Sequence, residues 1–365
     1  MSYATLLNPQ IDTLPVYQPG RPIEVVAREL GLNPAEIIKL ASNENPLGAS
    51  PLALEAAAKA LKDVWLYPDN GGYDLTGRLA ETMGVPFESI VLTAGSNEVF
   101  YRLGDLFVAP GAEVVMGAQA FITYRISTLL RGGTEVLVPM PDGVHDLAAM
   151  RAAITERTRL VFLPNPNNPT GTYLPADEVL AFAESLPEHV VFCYDEAYAE
   201  YQEAAVDLRP LMRAGRKIVA TRTFSKIYGL AGFRIGYGYA EAELATLLQK
   251  VRPPFNTGSV AQEAALAALD DDLWVQRSRS ENEAGLRQME AGFDQLGFSW
   301  TPSKANFILV EVPNAAEVSS DLQQAGVIVR PVAGYGLPNH LRVTIGTAAQ
   351  NSRCLNALSS VSGSK

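Results

Sequence analysis

Short apolar runs alternate with stretches of helical period along the middle of the chain, between about residues 88 and 240. Most runs are apolar at successive positions, as in strands that are buried on both faces. Buried strands that alternate with helices predict a largely parallel sheet covered by helices on both sides. The predicted strands are 89–93, 113–116, 135–139, 160–163, 190–194, 217–221 and 236–239.

The C-terminal third has a different order of elements. A long helical stretch at 260–296 precedes a strand at 306–310, a helix at 316–325 and strands at 327–330 and 341–345. This short set of strands and helices predicts a second, smaller α+β domain. The predicted fold class is therefore α/β, with a large domain built on a mostly parallel mixed sheet flanked by helices, plus the smaller domain.

The N-terminal segment is rich in proline and contains "VYQPGRP", so we expect it to cross the surface before a helix at 23–29. A length of 365 residues accommodates one large and one small domain. The predicted division is an N-terminal arm and helix associated with the small domain at 1–35, a large ligand-binding domain at 36–250 and a small C-terminal domain at 251–365.

Composition and charge narrow the class of protein. Hydrophobic residues make up 47% of the chain, charged residues 19%, and the formal net charge is -11, which disfavours binding to nucleic acid or anionic membranes. The 2 cysteines and 3 histidines show no spacing typical of a disulfide scaffold or a metal site. The sequence has neither an apolar segment of the roughly 20 residues that span a bilayer nor a signal-peptide pattern, which predicts a cytoplasmic protein.

Polar residues cluster where predicted strands end, which is where open α/β sheets bind ligands. The segment "VLTAGSNEVF" turns at Gly95 and opens a helix with Ser96 and Asn97. The free amides at such a helix start can hold a phosphate, or the polar side chains can simply cap the helix. The segment "FLPNPNNPTG" either presents asparagine amides on a loop stiffened by prolines or forms a plain turn.

Charged side chains follow two further strands. "VVFCYDEAYAEY" ends in Asp195, with Tyr198 three residues later. A buried carboxylate is costly unless a cation meets it, and a protonated pyridine nitrogen or a structural arginine would serve. Lys226 follows the next strand, in a loop with donors that suit a phosphate: Thr223, Ser225 and Arg234. A lysine, a carboxylate, an amide, a phenol and a phosphate site together are typical of pyridoxal phosphate binding.

Seven segments support this interpretation by their order along the chain: "ASNENPLG", "YPD", "NPNNPTG", "YDEAY", "TFSKIYGLAGFRIGY", "RPPFN" and "LRVTIGT". Together they resemble the class I/II aminotransferases of pyridoxal-phosphate fold type I, over about residues 17–346. The resemblance implies a homodimer that binds pyridoxal 5′-phosphate and works by ping-pong transamination, in which L-glutamate gives its amino group and leaves as 2-oxoglutarate. Within the family, the chain most resembles the enzymes that form histidinol phosphate in histidine biosynthesis.

The same resemblance implies the roles of individual residues. Lys226 joins the cofactor aldehyde and moves a proton, and Asp195 pairs with the pyridine nitrogen. Asn168 and Tyr198 bind the ring oxygen O3′, and Phe121 stacks on the ring. The residues implied to bind the cofactor phosphate are Gly95, Ser96, Asn97, Thr223, Ser225 and Arg234, with Tyr67 from a neighbouring subunit.

Four further residues are implied to bind the substrate. Arg342 matches an arginine that grips an anionic group by a bidentate fork, and Arg330 matches a second anion-binding arginine. Tyr17 and Asn45 match positions that close over the substrate.

Alternative functions share the fold or the cofactor. An aromatic amino-acid (phenylalanine/tyrosine) aminotransferase has similar motifs, and a pyridoxal-phosphate-dependent decarboxylase differs only in which bond at Cα is broken. A regulator that combines this fold with a DNA-binding domain is disfavoured by the net charge of -11. A dinucleotide-binding dehydrogenase is disfavoured because no predicted strand is followed by G-x-G-x-x-G.

Overall fold

The computed structural model describes residues 3–16 and 19–363, which fold into α-helices and strands on two main sheets. The strands are β1 (Ile38–Lys39), β2 (Ile90–Thr93), β3 (Glu113–Gly117), β4 (Thr134–Val138), β5 (Thr158–Pro164), β6 (Val191–Asp195), β7 (Ile218–Thr223), β8 (Gly236–Ala240), β9 (Trp300–Thr301), β10 (Phe307–Glu311), β11 (Val327–Ile328), β12 (Arg330–Pro331) and β13 (His340–Thr344). The α-helices are α1 (Ile23–Leu30), α2 (Pro51–Ala60), α3 (Tyr73–Met83), α4 (Asn97–Phe107), α5 (Ile122–Leu129), α6 (Leu147–Ala152), α7 (Ala176–Ser185), α8 (Arg209–Arg213), α9 (Ala242–Lys250), α10 (Ser259–Ala268), α11 (Asp272–Leu296), α12 (Ala315–Gln324) and α13 (Ala348–Gly363).

The larger sheet has seven strands in the order β2, β8, β7, β6, β5, β3, β4. The strands from β7 to β4 pair in parallel, whereas β8 runs antiparallel to both of its neighbours. This arrangement confirms the prediction of a mostly parallel mixed sheet. Each predicted strand matches a strand of this sheet to within 2 residues at either end.

Both faces of the sheet are buried, and successive residues of a strand enter opposite cores. Val114 and Leu160 pack into the core on one face, and Val115 and Val161 into the core on the other. Because side chains alternate along a strand, a strand with two buried faces must be apolar at nearly every position. This is the physical origin of the unbroken apolar runs in the sequence.

The smaller sheet has the antiparallel order β12, β13, β10, β9 and packs against α11, α12 and α13. Its core joins Phe293 of α11, Ile308 of β10, Val343 of β13 and Cys354 of α13. The segment after β1 runs alongside, because the carbonyl of Leu40 accepts a hydrogen bond from the backbone of Thr344. Residues 41–44 are thereby brought to the edge of the larger sheet.

The long helical stretch predicted at 260–296 consists of two helices, α10 and α11, with a break between them that the sequence analysis did not predict. Asp271 leaves the helical conformation (φ -102°, ψ 63°) and its carboxylate accepts a hydrogen bond from the backbone of Trp274. The hydroxyl of Ser50 donates to the same carboxylate at 2.6 Å. The predicted strand at 327–330 also differs, because β11 pairs with β1 and β12 joins the smaller sheet.

Each helix of the described residues is too short or too polar to cross a bilayer.

We expect Asp271→Ala to lower the free energy of unfolding by about 1 kcal/mol, because the substitution removes the N-cap of α11. Denaturant unfolding followed by circular dichroism measures this change. Glu283→Ala, at a solvent-exposed position within the same helix, is the matched control and should change stability by less than about 0.5 kcal/mol. Equal stabilities of the two variants would contradict the capping role.

Candidate active site

A cavity of about 250 Å³ lies at the carboxyl ends of β5, β6 and β7, where the smaller sheet and residues 41–44 meet the larger sheet. Its position agrees with the rule that open α/β sheets bind ligands at the carboxyl ends of strands. Most of the site residues predicted from the sequence line this cavity: Ser96, Asn97, Phe121, Asn168, Asp195, Tyr198, Thr223, Ser225, Lys226, Arg234, Arg330 and Arg342.

Gly95 directly precedes the lining residue Ser96, and three other predicted residues lie elsewhere or cannot be placed. The amide of Asn45 is turned away from the cavity lining and donates to the carbonyl of Ile227 at 2.7 Å and to the hydroxyl of Ser278 at 2.9 Å. Tyr67 lies on the surface with 82% of its area exposed. Tyr17 is outside the described residues.

Asp195 ends β6 and is buried at the base of the cavity. The hydroxyl of Tyr124 donates to Oδ2 at 2.6 Å, and the hydroxyl of Thr221 and the backbone N–H of Ala197 each donate to Oδ1 at 3.1 Å. Burial raises the pKa of Asp195, and these hydrogen bonds oppose the rise. All three donors are neutral, so a cationic group placed here would offset the cost of burying the carboxylate. A protonated pyridine nitrogen meets this requirement.

Lys226 follows β7, and its side chain is partly exposed toward the cavity. Nζ lies 5.7 Å from the centroid of the Tyr198 ring. Burial and, next in size, the positive charge of Arg342 lower the pKa of Lys226 to about 8. A neutral amine is the nucleophilic form, so this lysine reacts with an aldehyde near neutral pH more readily than an exposed lysine does.

The cavity lining also includes a group of donors suited to an anion. Ser96 and Asn97 begin α4, where backbone N–H groups have no partner within the helix. The hydroxyl of Thr223 donates to Ser225 at 2.9 Å, and Nη1 of Arg234 lies 3.4 Å from the same Ser225 oxygen. Helix amides, hydroxyls and a guanidinium together are a typical phosphate site.

Gly95 permits the close approach of Arg234 to this group. Its φ of +79° is in the left-handed region, and a Cβ atom there would lie 2.6 Å from Nη2 of Arg234. The same nitrogen lies 3.3 Å from the carbonyl oxygen of Ala94, to which it donates. Glycine therefore lets the backbone turn and also leaves room for the guanidinium.

Two hydrogen-bonded pairs lie in the lining of the same cavity as Lys226. Nη1 of Arg342 donates to Oδ1 of Asn168 at 2.7 Å, and Nδ2 of Asn43 donates to the hydroxyl of Tyr198 at 2.8 Å. Burial raises the pKa of Tyr198 above its ordinary value, so its hydroxyl stays protonated at neutral pH. The amide of Asn168 and the phenol of Tyr198 thus face one cavity as donors for an oxygen atom.

Phe121 immediately precedes α5 and contributes an aromatic face to the cavity wall. Its ring contacts that of Tyr124 edge to face, with centroids 5.9 Å apart. A flat heteroaromatic ring could stack on such a face.

The cavity is cationic although the chain as a whole is acidic. Its lining includes Lys226 and three arginines, whereas its acidic side chains are Glu44 and Asp195. Any anionic ligand is therefore attracted locally, against the formal net charge of -11.

The sequence analysis missed three residues of the site: Tyr124, Thr221 and Asn43. Tyr124 could have been predicted from the sequence, because it lies one helical turn after Phe121 and so shares its face of α5. Thr221 precedes Thr223 by two residues on β7 and points to the same side. Asn43 showed no such signal, since its partner Tyr198 is 155 residues away in the chain.

The match to known proteins defines the class of protein. The chain belongs to the class I and II aminotransferase family, whose model matches residues 35–358. It is 48% identical to histidinol-phosphate aminotransferase 2 of Pseudomonas fluorescens, over 99% of this chain and 98% of that protein. It is also 47% identical to the histidinol-phosphate aminotransferase of Akkermansia muciniphila, over 99% of this chain and 100% of the relative.

A solved structure gives the same result for the fold. The crystal structure of histidinol-phosphate aminotransferase from Sinorhizobium meliloti, in complex with pyridoxal 5′-phosphate, matches with a TM-score of 0.89 and 29% identity, over 98% of each chain. The predicted fold-type-I architecture and family are thereby confirmed.

We expect Gly95→Ala to weaken the binding of inorganic phosphate to the protein by about tenfold or more, because the added methyl group displaces Arg234. Isothermal titration calorimetry of the cofactor-free protein measures the affinity. Gly232→Ala is the matched control, since a Cβ atom at Gly232 meets no atom within 4 Å. Unchanged phosphate affinity in Gly95→Ala would argue against an anion site at this turn.

Proposed function

We propose that this protein is a pyridoxal-phosphate-dependent aminotransferase that transfers an amino group between L-glutamate and histidinol phosphate, in histidine biosynthesis. The observation that carries the proposal is the presence of Lys226, with a pKa of about 8, in one cavity with the buried carboxylate of Asp195. Membership of the aminotransferase family and the similarity to histidinol-phosphate aminotransferases support it.

The residues of the cavity fit pyridoxal phosphate. When bound, the cofactor supplies an aldehyde that receives the amino group and a ring that takes up electrons from the substrate Cα. Asp195 would keep the ring nitrogen protonated, and Phe121 would cover one face of the ring. Asn168 and Tyr198 would donate to O3′. The amides at the start of α4, with Thr223, Ser225 and Arg234, would hold the phosphate.

Lys226 has two roles in this proposal. Its neutral amine would hold the cofactor through the aldehyde, and the same amine would act as the base and then the acid that moves the proton of the substrate Cα. A pKa of about 8 suits this exchange, because such an amine both accepts and releases a proton near neutral pH. Tyr198, which stays protonated, supplies a hydrogen bond beside the amine rather than competing as a base.

The arginines suit a substrate that carries an anionic group away from its amino group. Arg342 is held by Asn168 and by the carbonyl of Ala41, each at 2.7 Å, so its guanidinium is fixed in orientation. Together with Arg330 it can bind the distal carboxylate of glutamate or the phosphate of histidinol phosphate. An aromatic amino acid presents no such distal anion, so we place the aromatic aminotransferase second.

Substrate contacts by Tyr17 and Asn45 remain predictions, as does the division into segments 1–35, 36–250 and 251–365.

We further infer a homodimer in which Tyr67 reaches the partner's phosphate site. Exposed aromatic residues occur close together: Trp65 is 79% exposed, Tyr67 is 82% exposed, and the Tyr67 ring stacks on Phe255 with centroids 4.6 Å apart. Large exposed apolar side chains in one region are typical of protein interfaces. A homodimer would bury them, and the symmetry of a dimer would bring each Tyr67 to the other subunit.

We expect the purified holoenzyme to absorb visible light, and L-glutamate and L-histidinol phosphate each to remove that band as the amino group moves to the cofactor. We expect kcat/KM for L-phenylalanine to be at least about tenfold lower than for L-histidinol phosphate, because it has no distal anion for the arginines. Stopped-flow absorbance measures both. Faster reaction with L-phenylalanine would favour the aromatic aminotransferase, and release of carbon dioxide would favour the decarboxylase.

Lys226→Ala supplies the control for this assay. The variant should bind the cofactor non-covalently, so borohydride reduction should leave no cofactor attached to the protein. Neither amino donor should complete the transfer. Lys217→Ala, at the solvent-exposed position just before β7, is the matched control and should react like the wild type.

Mixing two variants with different defects tests the shared site. We expect Tyr67→Ala to lower cofactor affinity, because the phosphate loses a donor from the partner. In an equimolar mixture of Tyr67→Ala and Lys226→Ala, half of the dimers are mixed, and each mixed dimer has one intact site. Transamination at limiting cofactor should therefore recover to about a quarter of the wild-type rate. No recovery after subunit exchange would show that Tyr67 serves its own subunit.

A further inference from the structure

Asn43 is buried beside the cavity, with 1% of its area exposed. Its backbone is held at both ends, since its N–H donates to Oγ1 of Thr344 at 2.9 Å and its carbonyl accepts from Nδ2 of Asn306 at 2.9 Å. Its φ of 57° is in the left-handed region, which few residues besides glycine and asparagine adopt easily. The residue is thus fixed by contacts to Thr344 of β13 and to Asn306, which directly precedes β10.

The contacts of Thr344 also determine how the Asn43 amide is turned. Because Oγ1 of Thr344 accepts the backbone N–H of Asn43, its own proton can donate to Oδ1 of Asn43, which lies 3.2 Å away. The amide oxygen therefore faces Thr344. The amide nitrogen faces the hydroxyl of Tyr198 and donates to it at 2.8 Å.

This donation leaves one direction for the phenolic proton. The Tyr198 oxygen accepts a hydrogen bond from Asn43, so its own hydroxyl proton must be donated to a different acceptor. Tyr198 lines the cavity, and the amide of Asn168 lines it as well. An oxygen atom of a ligand between these two groups is the acceptor that the geometry offers. A phenol that accepts one hydrogen bond also becomes a stronger donor in the next.

We propose that Asn43 is a positioning residue that directs the hydroxyl proton of Tyr198 to O3′ of the bound cofactor, with Thr344 fixing the Asn43 amide. The inference rests on the proposed function, because it needs pyridoxal phosphate in the cavity.

The inference has a second consequence for strand β13. Thr344 and Arg342 are two residues apart on this strand and so point to the same side. Arg342 contacts Asn168 directly, and Thr344 contacts Tyr198 through Asn43. Both donors to O3′ are therefore held by the strand that carries the substrate-binding arginine.

The test is a pH titration of the visible absorbance of the bound cofactor, which reports the proton on the lysine-linked nitrogen. Donation to O3′ stabilises the negative charge on that oxygen and weakens its hold on the neighbouring proton. Loss of the donation should therefore raise the apparent pKa. We expect Asn43→Gly to raise it by about 0.5 to 1 unit and Tyr198→Phe by more. Glycine is chosen because it keeps the left-handed backbone conformation.

A double-mutant cycle separates this role from a structural one. In a Tyr198→Phe background, Asn43→Gly should cause no further shift, because the hydroxyl through which Asn43 acts is absent. Thr344→Val should raise the apparent pKa as Asn43→Gly does, whereas Thr344→Ser keeps the hydroxyl and should titrate like the wild type. The thermal midpoint of each cofactor-free variant serves as the folding control.

Two results would overturn the inference alone. In the first, Asn43→Gly and Thr344→Val both leave the apparent pKa at its wild-type value. In the second, Asn43→Gly shifts the apparent pKa equally in the wild-type and Tyr198→Phe backgrounds. A wild-type protein that takes up pyridoxal phosphate without developing a visible band would overturn the proposed function, and the inference with it.

Discussion

The buried carboxylate of Asp195 is the constraint on which the site depends. Moving a carboxylate out of water is costly, and here three neutral donors recover only part of that cost. The remainder requires a cation, so the cavity is built to receive a positively charged ring. The donors come from α5, β7 and the loop after β6, and each element is anchored in the cores on the two faces of the larger sheet. A rigid sheet is therefore a condition for keeping the carboxylate where a ligand can reach it.

The parts of the structure that the sequence predicts are those with a local signal. Unbroken apolar runs predict the strands because both faces of the sheet are buried. Asp195 and Lys226 stand out because they are charged residues directly after such runs. Asn43, by contrast, acts through partners 155 and 301 residues away, and no local pattern reports such contacts. The break at Asp271 was missed because the hydrophobic period of a helix is present on both sides of it. The feature that marks the start of α11 is the capping contact of Asp271, which a periodic pattern does not show.

The contacts across the cavity join cofactor binding to substrate binding. Arg342 donates to Asn168, so the residue that would grip the substrate already touches one that would hold the cofactor ring. Arriving substrate would compete with Asn168 for the guanidinium, and that competition would alter the hydrogen bonds around the ring. Since the same strand also fixes Asn43 through Thr344, the smaller sheet can influence both sides of the ring oxygen. The binding of the substrate's distal anion would thus change the hydrogen bonds around the ring oxygen.

A ping-pong reaction places two different substrates in one cavity in turn, which limits how specificity can arise. Glutamate and histidinol phosphate differ in shape but share an amino group and a distal anion. A fixed, wide apolar pocket would suit only one of them, whereas a pair of arginines can bind a carboxylate or a phosphate with the same fork geometry. Arg330 and Arg342 line the same side of the site from neighbouring strands, β12 and β13. Selection against other amino acids then follows from the charge-assisted hydrogen bonds to Arg330 and Arg342 that a substrate without a distal anion cannot form.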